Sequence, residues 1–244
     1  MHANDSSAAG AAKAVAAREL APSGRLRAAI NLGNPVLAHA GAAGADPGGI
    51  SVDLARAVAR DLGIGVELVP YPSAGAVIAA ATRDAWDMAF LAAEPERASS
   101  LAFSPPYVEI DGTYLVRAST PFATCADVDR ADVTIAVAQN AAYDLHLTRT
   151  LAHAQPVRAP DGAASLRLFD DARVTVAAGI RQALDRHARG RADLRVLPDR
   201  FMAIRQAIAV AKTRQAAAAY LASFVTTALA DGTIARIVAS HAAR

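Results

Sequence analysis

Short apolar runs alternate with amphipathic stretches over the first hundred residues of this chain. Residues 25–32 read as a strand, and 33–49, rich in Gly, Ala and Pro, as a loop. Ser51 can cap a helix that ends near Leu62, with Leu54, Val58 and Leu62 on one face. Gly63 stops that helix. A strand at 66–69 follows, then a helix at 75–83 with Val77, Ile78 and Ala81 inward, then a strand at 87–91. The last is short and continuously apolar, as buried parallel strands are. A β-α-β-α-β order demands a parallel sheet with right-handed crossovers.

The pattern then restarts rather than continues. A Pro-rich turn at 104–106 leads into a strand at 112–117. Strands at 133–138, around Val157, at 174–178 and at 194–197 alternate with helices near 142–154, 163–169 and 181–188. An extended apolar run at 202–210 and a long helix at 215–229 follow, the latter with Tyr220, Leu221, Phe224, Val225 and Leu229 on its apolar face. Asp231 and Gly232 turn the chain into a last helix carrying Ile234, Ile237 and Val238. The restart predicts an α/β protein of two Rossmann-like lobes. The first twenty residues are of low complexity and read as a frayed helix or a poorly ordered tail.

Composition narrows the function classes. Roughly a quarter of the 244 residues are Ala and only 5% are aromatic, so the core must be mostly aliphatic. Net charge is +2, with no basic run, so nucleic-acid binding has no electrostatic footprint. The single cysteine, Cys125, excludes a disulfide framework and a Cys-rich metal site, and reads as a small buried residue. The histidines show no metal spacing, no phosphate-loop or G-x-G-x-x-G signature occurs, and no G-x-S-x-G elbow is present. No cofactor is expected. The longest apolar stretch, 216–230, is too short to span a bilayer, so no membrane insertion is expected.

Three segments in this order carry a family likeness. They are GISVDL at 49–54, AWDMAFL at 85–91 running through PERA at 95–98 to FSPPY at 103–107, and LADGTI at 229–234. Together they resemble the solute-binding proteins of ABC transporters, family 3, the branch that takes polar amino acids and related small acids. The likeness covers about nine-tenths of the chain. It implies the type 2 periplasmic-binding-protein fold: two α/β lobes joined by two crossing strands, within 112–117 and 202–210, with ligand held in the cleft by hinge closure. Lobe 1 would comprise 21–112 and 204–244, lobe 2 residues 113–203. The implied partners are a small carboxylate-bearing ligand and an ABC permease, and a monomer is expected. The resemblance implies a periplasmic location. No signal peptide is legible in residues 1–20, which carry Asp5 and no basic start, so a cytoplasmic location stays open.

The same resemblance singles out residues for the cleft. Arg97, in the P-E-R motif, would hold the ligand carboxylate by a bidentate pair, because a planar guanidinium matches a carboxylate fork. The alternative is a surface Arg paired with Glu94 at i, i+3. Asn140, Ala141 and Ala142 stand where the family usually has Gly and a hydroxyl at a helix N-terminus. There backbone N–H groups could bind an anion, or Asn140 could simply cap the helix. Family members that hold an α-amino group use a hydroxyl and an Asp at places that fall here on Ala92 and near Gly179, Ile180 and Arg181. Neither offers an acceptor, so an ordinary α-amino acid is less expected than for a typical member, and the ligand is read as an amino acid or a related organic acid. Glu94 could replace the missing anion or neutralise Arg97, and Arg181 could favour a second carboxylate. Asn34, Val36, Tyr71, Ser73 and Phe90 fall at strand or loop ends that face the cleft in such a fold. Phe90 is the candidate aromatic wall, with core packing as its alternative. Asp53 reads as structural, at a helix start.

Two other readings share this fold. A cyclohexadienyl-dehydratase-like enzyme would need a general acid in the closed cleft, with Glu94 or Glu109 as candidates. A ligand-sensing domain would act through a separate partner.

Overall fold

The structure, a computed structural model, describes residues 2–241, with side chains from residue 10 onward. Strand β1 (Arg25–Asn31) lies between β2 (Gly65–Tyr71) and β3 (Met88–Ala92), parallel to both. Successive residues of a strand face opposite sides. Ala28 and Ile30 of β1 and Met88 and Phe90 of β3 therefore enter one core, and Ala29, Ala89 and Leu91 the other. Helix α2 (Ile50–Leu62) covers the first with Leu54 and Val58; α3 (Ala74–Ala81) covers the second with Val77.

Helix α2 starts two residues earlier than the sequence suggests. Its N-cap is Gly49, not Ser51, which is buried inside the first turn. Gly49 has φ 120°, and a Cβ there would stand 2.5 Å from the Leu37 carbonyl oxygen, so no larger residue fits. Gly63 ends α2 in the left-handed conformation. Ser73 caps α3 by accepting from the Ala76 N–H.

A short strand, β4 (Leu101–Phe103), precedes β5 (Val108–Arg117). The second half of the fold contains β6 (Thr134–Ala138), α4 (Ala142–Thr150), β7 (Gln155–Ala159), α5 (Gly162–Asp170), β8 (Val176–Ile180), α6 (Arg181–Ala188) and β9 (Leu194–Val196). Strand β6 is parallel to β7 and β8, so both halves have the same local logic. Strand β10 (Met202–Ala211) returns the chain to the first half.

The two halves are joined by β5 and β10, in the sheet order β2-β1-β3-β10-β5-β8-β6-β7. Residues 202–206 pair antiparallel with 108–112; beyond that stretch β10 turns to β3 and β4, and β5 to β8 and β9. This is a two-lobed α/β architecture with two crossing strands. Each crossing strand is ten residues long, about twice the ordinary strand, because each serves both lobes.

Helices α7 (Gln215–Ala230) and α8 (Thr233–His241) close the first lobe. His241 Nε2 lies 2.7 Å from Asp53 Oδ2, tying α8 to the start of α2. No single helix among the described residues is long and apolar enough to cross a membrane. Residues 2–20, read from sequence as a frayed helix or poorly ordered tail, form helix α1 (His2–Leu20). Its second half is docked: Ala16 and Leu20 are fully buried, and the Glu19 carboxylate accepts the Ala217 N–H at the start of α7. Composition missed this because the contact lies almost two hundred residues away.

Candidate functional site

Parallel strands deliver their C-terminal ends to a common crevice. Here the ends of β1, β3, β6 and β8 meet between the lobes around an inner cavity of about 50 Å³. Asn31, Asn34, Ser73 and Ala92 line it from the first lobe, Ala138, Ala141, Ala142, Tyr143 and Ile180 from the second, and Gln206 from crossing strand β10. Arg97 completes it.

Arg97 sits in a single 3-10 turn just after β3 and is only 5% exposed. Its Nη1 donates to the Ala92 carbonyl at 2.9 Å, and its Nη2 reaches the other lobe, to the Asn140 carbonyl at 2.8 Å. Its Nε is buried with no partner. Among the described residues no carboxylate forms a salt bridge with it. Burial pulls its pKa down to about 10 against the opposing pull of Glu94 and Glu96, so it stays charged at neutral pH. A buried guanidinium bonded only to carbonyl oxygens, with Glu94 and Glu96 nearby but not paired to it, is one that an entering anion would stabilise.

The pairing of Arg97 with Glu94 does not occur. Glu94 accepts Arg149 Nη2 of α4 at 2.9 Å, and Arg149 Nη1 binds Glu96, so both acids clasp the opposite lobe. The cause is spacing: Arg97 turns inward from the 3-10 segment, while Glu94 and Glu96 face outward to α4. Gly75 marks a third contact between lobes. A Cβ there would lie 2.9 Å from the Gln139 carbonyl oxygen. The cleft is closed.

Asn140 is left-handed, with φ 60°, a conformation that Asn tolerates better than most residues. It does not cap α4. Its own N–H donates to Asp144, and the Ala141 N–H to the Ala138 carbonyl. Asp144 in turn pairs with Arg158. Ala141 is the N-cap and offers no side-chain bond, so the first-turn amides from Ala142 onward are the ones α4 leaves for a ligand.

Phe90 is not a cleft wall. Alternation along β3 sends it into the α2 core, where it is 1% exposed and packs edge-on against Tyr107 at 6.1 Å. Arg181 is not in the cavity either. It donates to Asp111 Oδ2 and to the carbonyls of Leu197, Pro198 and Asp199, bracing the turn before β10. Its long stem points away, and Ile180, the N-cap of α6, takes the lining position. Asn34, Ala92, Arg97, Ala141 and Ala142 are brought together; Phe90, Glu94, Asn140 and Arg181 lie outside the lining. Ser73 joins the first group, while Val36 and Tyr71 pack against the cores. Sequence reasoning missed Gln206, whose signal was a polar residue inside an otherwise apolar strand. It also missed Arg149 and Tyr143, for which no local pattern existed.

Glu109 pairs with Arg205, and neither Glu94 nor Glu109 lines the cavity. Cys125 is buried, and burial pushes its thiol up to about 12, which suits a packing role.

A second, larger chamber of about 620 Å³ lies beside the inner one. The two share Gly33, Tyr143, Gly162 and Ile180. The smaller one is the one that Arg97 lines.

Residues 26–243 match the model of the bacterial extracellular solute-binding proteins, family 3. The chain belongs to this family. No curated protein matches it in sequence. Among solved structures, a mutant of ArgBP from T. maritima superposes with a TM-score of 0.78 at 20% identity, over 94% of this chain and all of that one. The ancestral amino acid-binding protein AncCDT-1, a precursor of cyclohexadienyl dehydratase, gives 0.76 at 21% identity, over 92% and 97%. The amino acid ABC transporter substrate-binding protein AbpA of Streptococcus pneumoniae, bound to L-arginine, gives 0.76 at 17%, over 91% and 96%. These neighbours share the type 2 periplasmic-binding-protein fold, and at such identity they speak to fold alone. The crossing-strand topology of this solute-binding protein is the one its sequence motifs imply.

Proposed function

We propose that this solute-binding protein captures a small carboxylate in its interlobe cleft, with Arg97 as the anchor, for ABC-type uptake. The observation that carries the reading is the Arg97 guanidinium: buried, without a counterion among the described residues, and with Nε unpaired. A carboxylate entering the inner cavity would replace the carbonyls on one edge of the guanidinium and neutralise it. The first-turn amides of α4 would bind the same anion from the opposite lobe, which couples binding to closure. In this reading the lobes divide at 112/113 and 203/204, the protein works as a monomer outside the cytoplasm, and its closed form docks a permease. Binding rather than turnover is the role, because no acid lines the inner cavity.

A thermal-shift screen of small carboxylates on the wild type and on Arg97→Ala tests this. Ligand at a hundred times Kd adds about 2.7 kcal/mol, raising Tm by roughly 5–10 °C for a chain of this size. The shift should vanish in Arg97→Ala and shrink in Arg97→Lys, which keeps the charge and loses the fork. A full shift in Arg97→Ala would overturn the anchor.

A further inference from the structure

We propose that the ligand is a carboxylate without an ammonium group, whose apolar tail lies in the outer chamber. This rests on the Arg97 reading and specifies the ligand class for the same site.

The inner cavity contains one formal charge, the Arg97 cation, and no Asp or Glu among its lining residues. The amide oxygens of Gln139 and Gln206 in its lining accept no bond among the described residues but are neutral, while three other side-chain oxygens are already engaged. Asn31 Oδ1 accepts the Gly33 N–H, Asn34 Oδ1 the Val36 N–H, and Ser73 Oγ the Ala76 N–H. A ligand ammonium brought beside Arg97 would therefore meet like charge and find no anion. In a closed, dry cleft that combination is heavily penalised. Ile180, buried and apolar, stands at the second-lobe position from which an acceptor could have reached it.

The cavity of about 50 Å³ holds a carboxylate and little more. Anything longer must extend into the 620 Å³ chamber through the shared boundary at Tyr143 and Ile180. Leu32, Pro35, Pro72, Leu166 and Ala183 make that chamber chiefly apolar. Its one carboxylate, Asp161, already accepts the Ala164 N–H as the cap of α5, and Arg186 and His187 share the same lining. The chamber thus offers a cationic tail one carboxylate already used as a helix cap, beside Arg186 and His187, and offers an aliphatic or aromatic tail a surface to cover.

Matched pairs of ligands test the proposal by calorimetry on the whole chain: 4-methylpentanoate against leucine, 3-phenylpropanoate against phenylalanine, with arginine and lysine alongside. The non-aminated member of each pair should bind at least tenfold more tightly. Two variants locate the cause. Ile180→Asp, at an N-cap where Asp is favoured, should narrow or reverse the preference within each pair. Ala183→Phe should weaken the long acids at least fivefold and leave propanoate unchanged. Tighter binding of leucine, phenylalanine, arginine or lysine than of the deaminated acids overturns this proposal. If that binding is lost in Arg97→Ala, the carboxylate anchor survives. Binding by none of these acids would sink both readings.

Discussion

Asp87 shows how much of this fold hangs on single buried charges. Its carboxylate is fully covered and accepts Arg27 Nε at 2.9 Å, Arg27 Nη2 at 2.8 Å and Arg214 Nη1 at 2.7 Å. Burial by itself would raise its pKa, but the bonds from Arg27 and Arg214 outweigh burial and hold it below the ordinary carboxylate range. A depressed folded pKa gives stability that is complete above the unfolded value, about 3.9, and that is lost as pH falls through the folded value. Asp87→Asn leaves Arg27 and Arg214 with only the exposed Asp84 as their anion and should cost about 3 kcal/mol at pH 7. Urea unfolding at pH 7 and pH 3 checks it: the variant's deficit should shrink at the lower pH. An equal deficit at both would reject the charge argument. Side-chain direction was the least legible property at this scale. Arg97 announced itself through a motif, but Arg181 and Glu94 have stems long enough to point to either side of their backbone. Their partners, the carbonyls of 197–199 and Arg149, are supplied by other parts of the chain. Phe90 was decidable in principle, since the period of β3 pairs it with Met88 rather than with the cleft.

Among the elements, those defined by their own periodicity were read closely. Helix α6 runs over the span predicted for it, and the alternation of β1 with α2 and β2 follows from local pattern and Gly63 alone. The three-residue β4 was not legible, being too short for any periodicity. Helix α1 illustrates a second limit. Helix α7 has no side chain of its own at its N-terminus; Arg214 stands at the N-cap and makes no capping bond. The cap comes from Glu19 of α1, whose Oε2 accepts the Ala217 N–H at 2.8 Å. A carboxylate at that end also meets the positive pole of the helix. Glu19→Ala should therefore cost about 1 kcal/mol, a Tm loss of roughly 2–4 °C, with ligand affinity unchanged because the cap is far from the cavity. Limited proteolysis within residues 10–20 should rise in the variant. Unchanged stability would mean that α1 is held by Ala16 and Leu20 alone.

For the whole molecule the decisive question is what keeps the lobes together. Three contacts bridge the cleft around the cavity: Arg97 to the Asn140 carbonyl, Arg149 to Glu94 and Glu96, and the backbone approach at Gly75. The first two are attractive; the third is a steric permission. Glu94 is nearly buried, so its bond to Arg149 is less screened than a surface pair. Arg149→Ala should then shift the population toward open forms, giving a larger radius of gyration in X-ray scattering without ligand and recovery of the closed value with it. Gly75→Val should do something different. Its Cβ would meet the Gln139 carbonyl oxygen at 2.9 Å, against backbone that cannot swing aside. The wedge acts whenever the lobes meet, so the unliganded protein should open as in Arg149→Ala, while affinity falls at least tenfold and, unlike there, the ligand no longer compacts the protein. The pair of variants separates two models. If closure drives binding, Gly75→Val loses affinity and Arg149→Ala loses only the part of it that pre-closure contributes. If the first lobe alone holds the carboxylate through Arg97, Gly75→Val binds as the wild type does, and the interlobe share of the site must be abandoned.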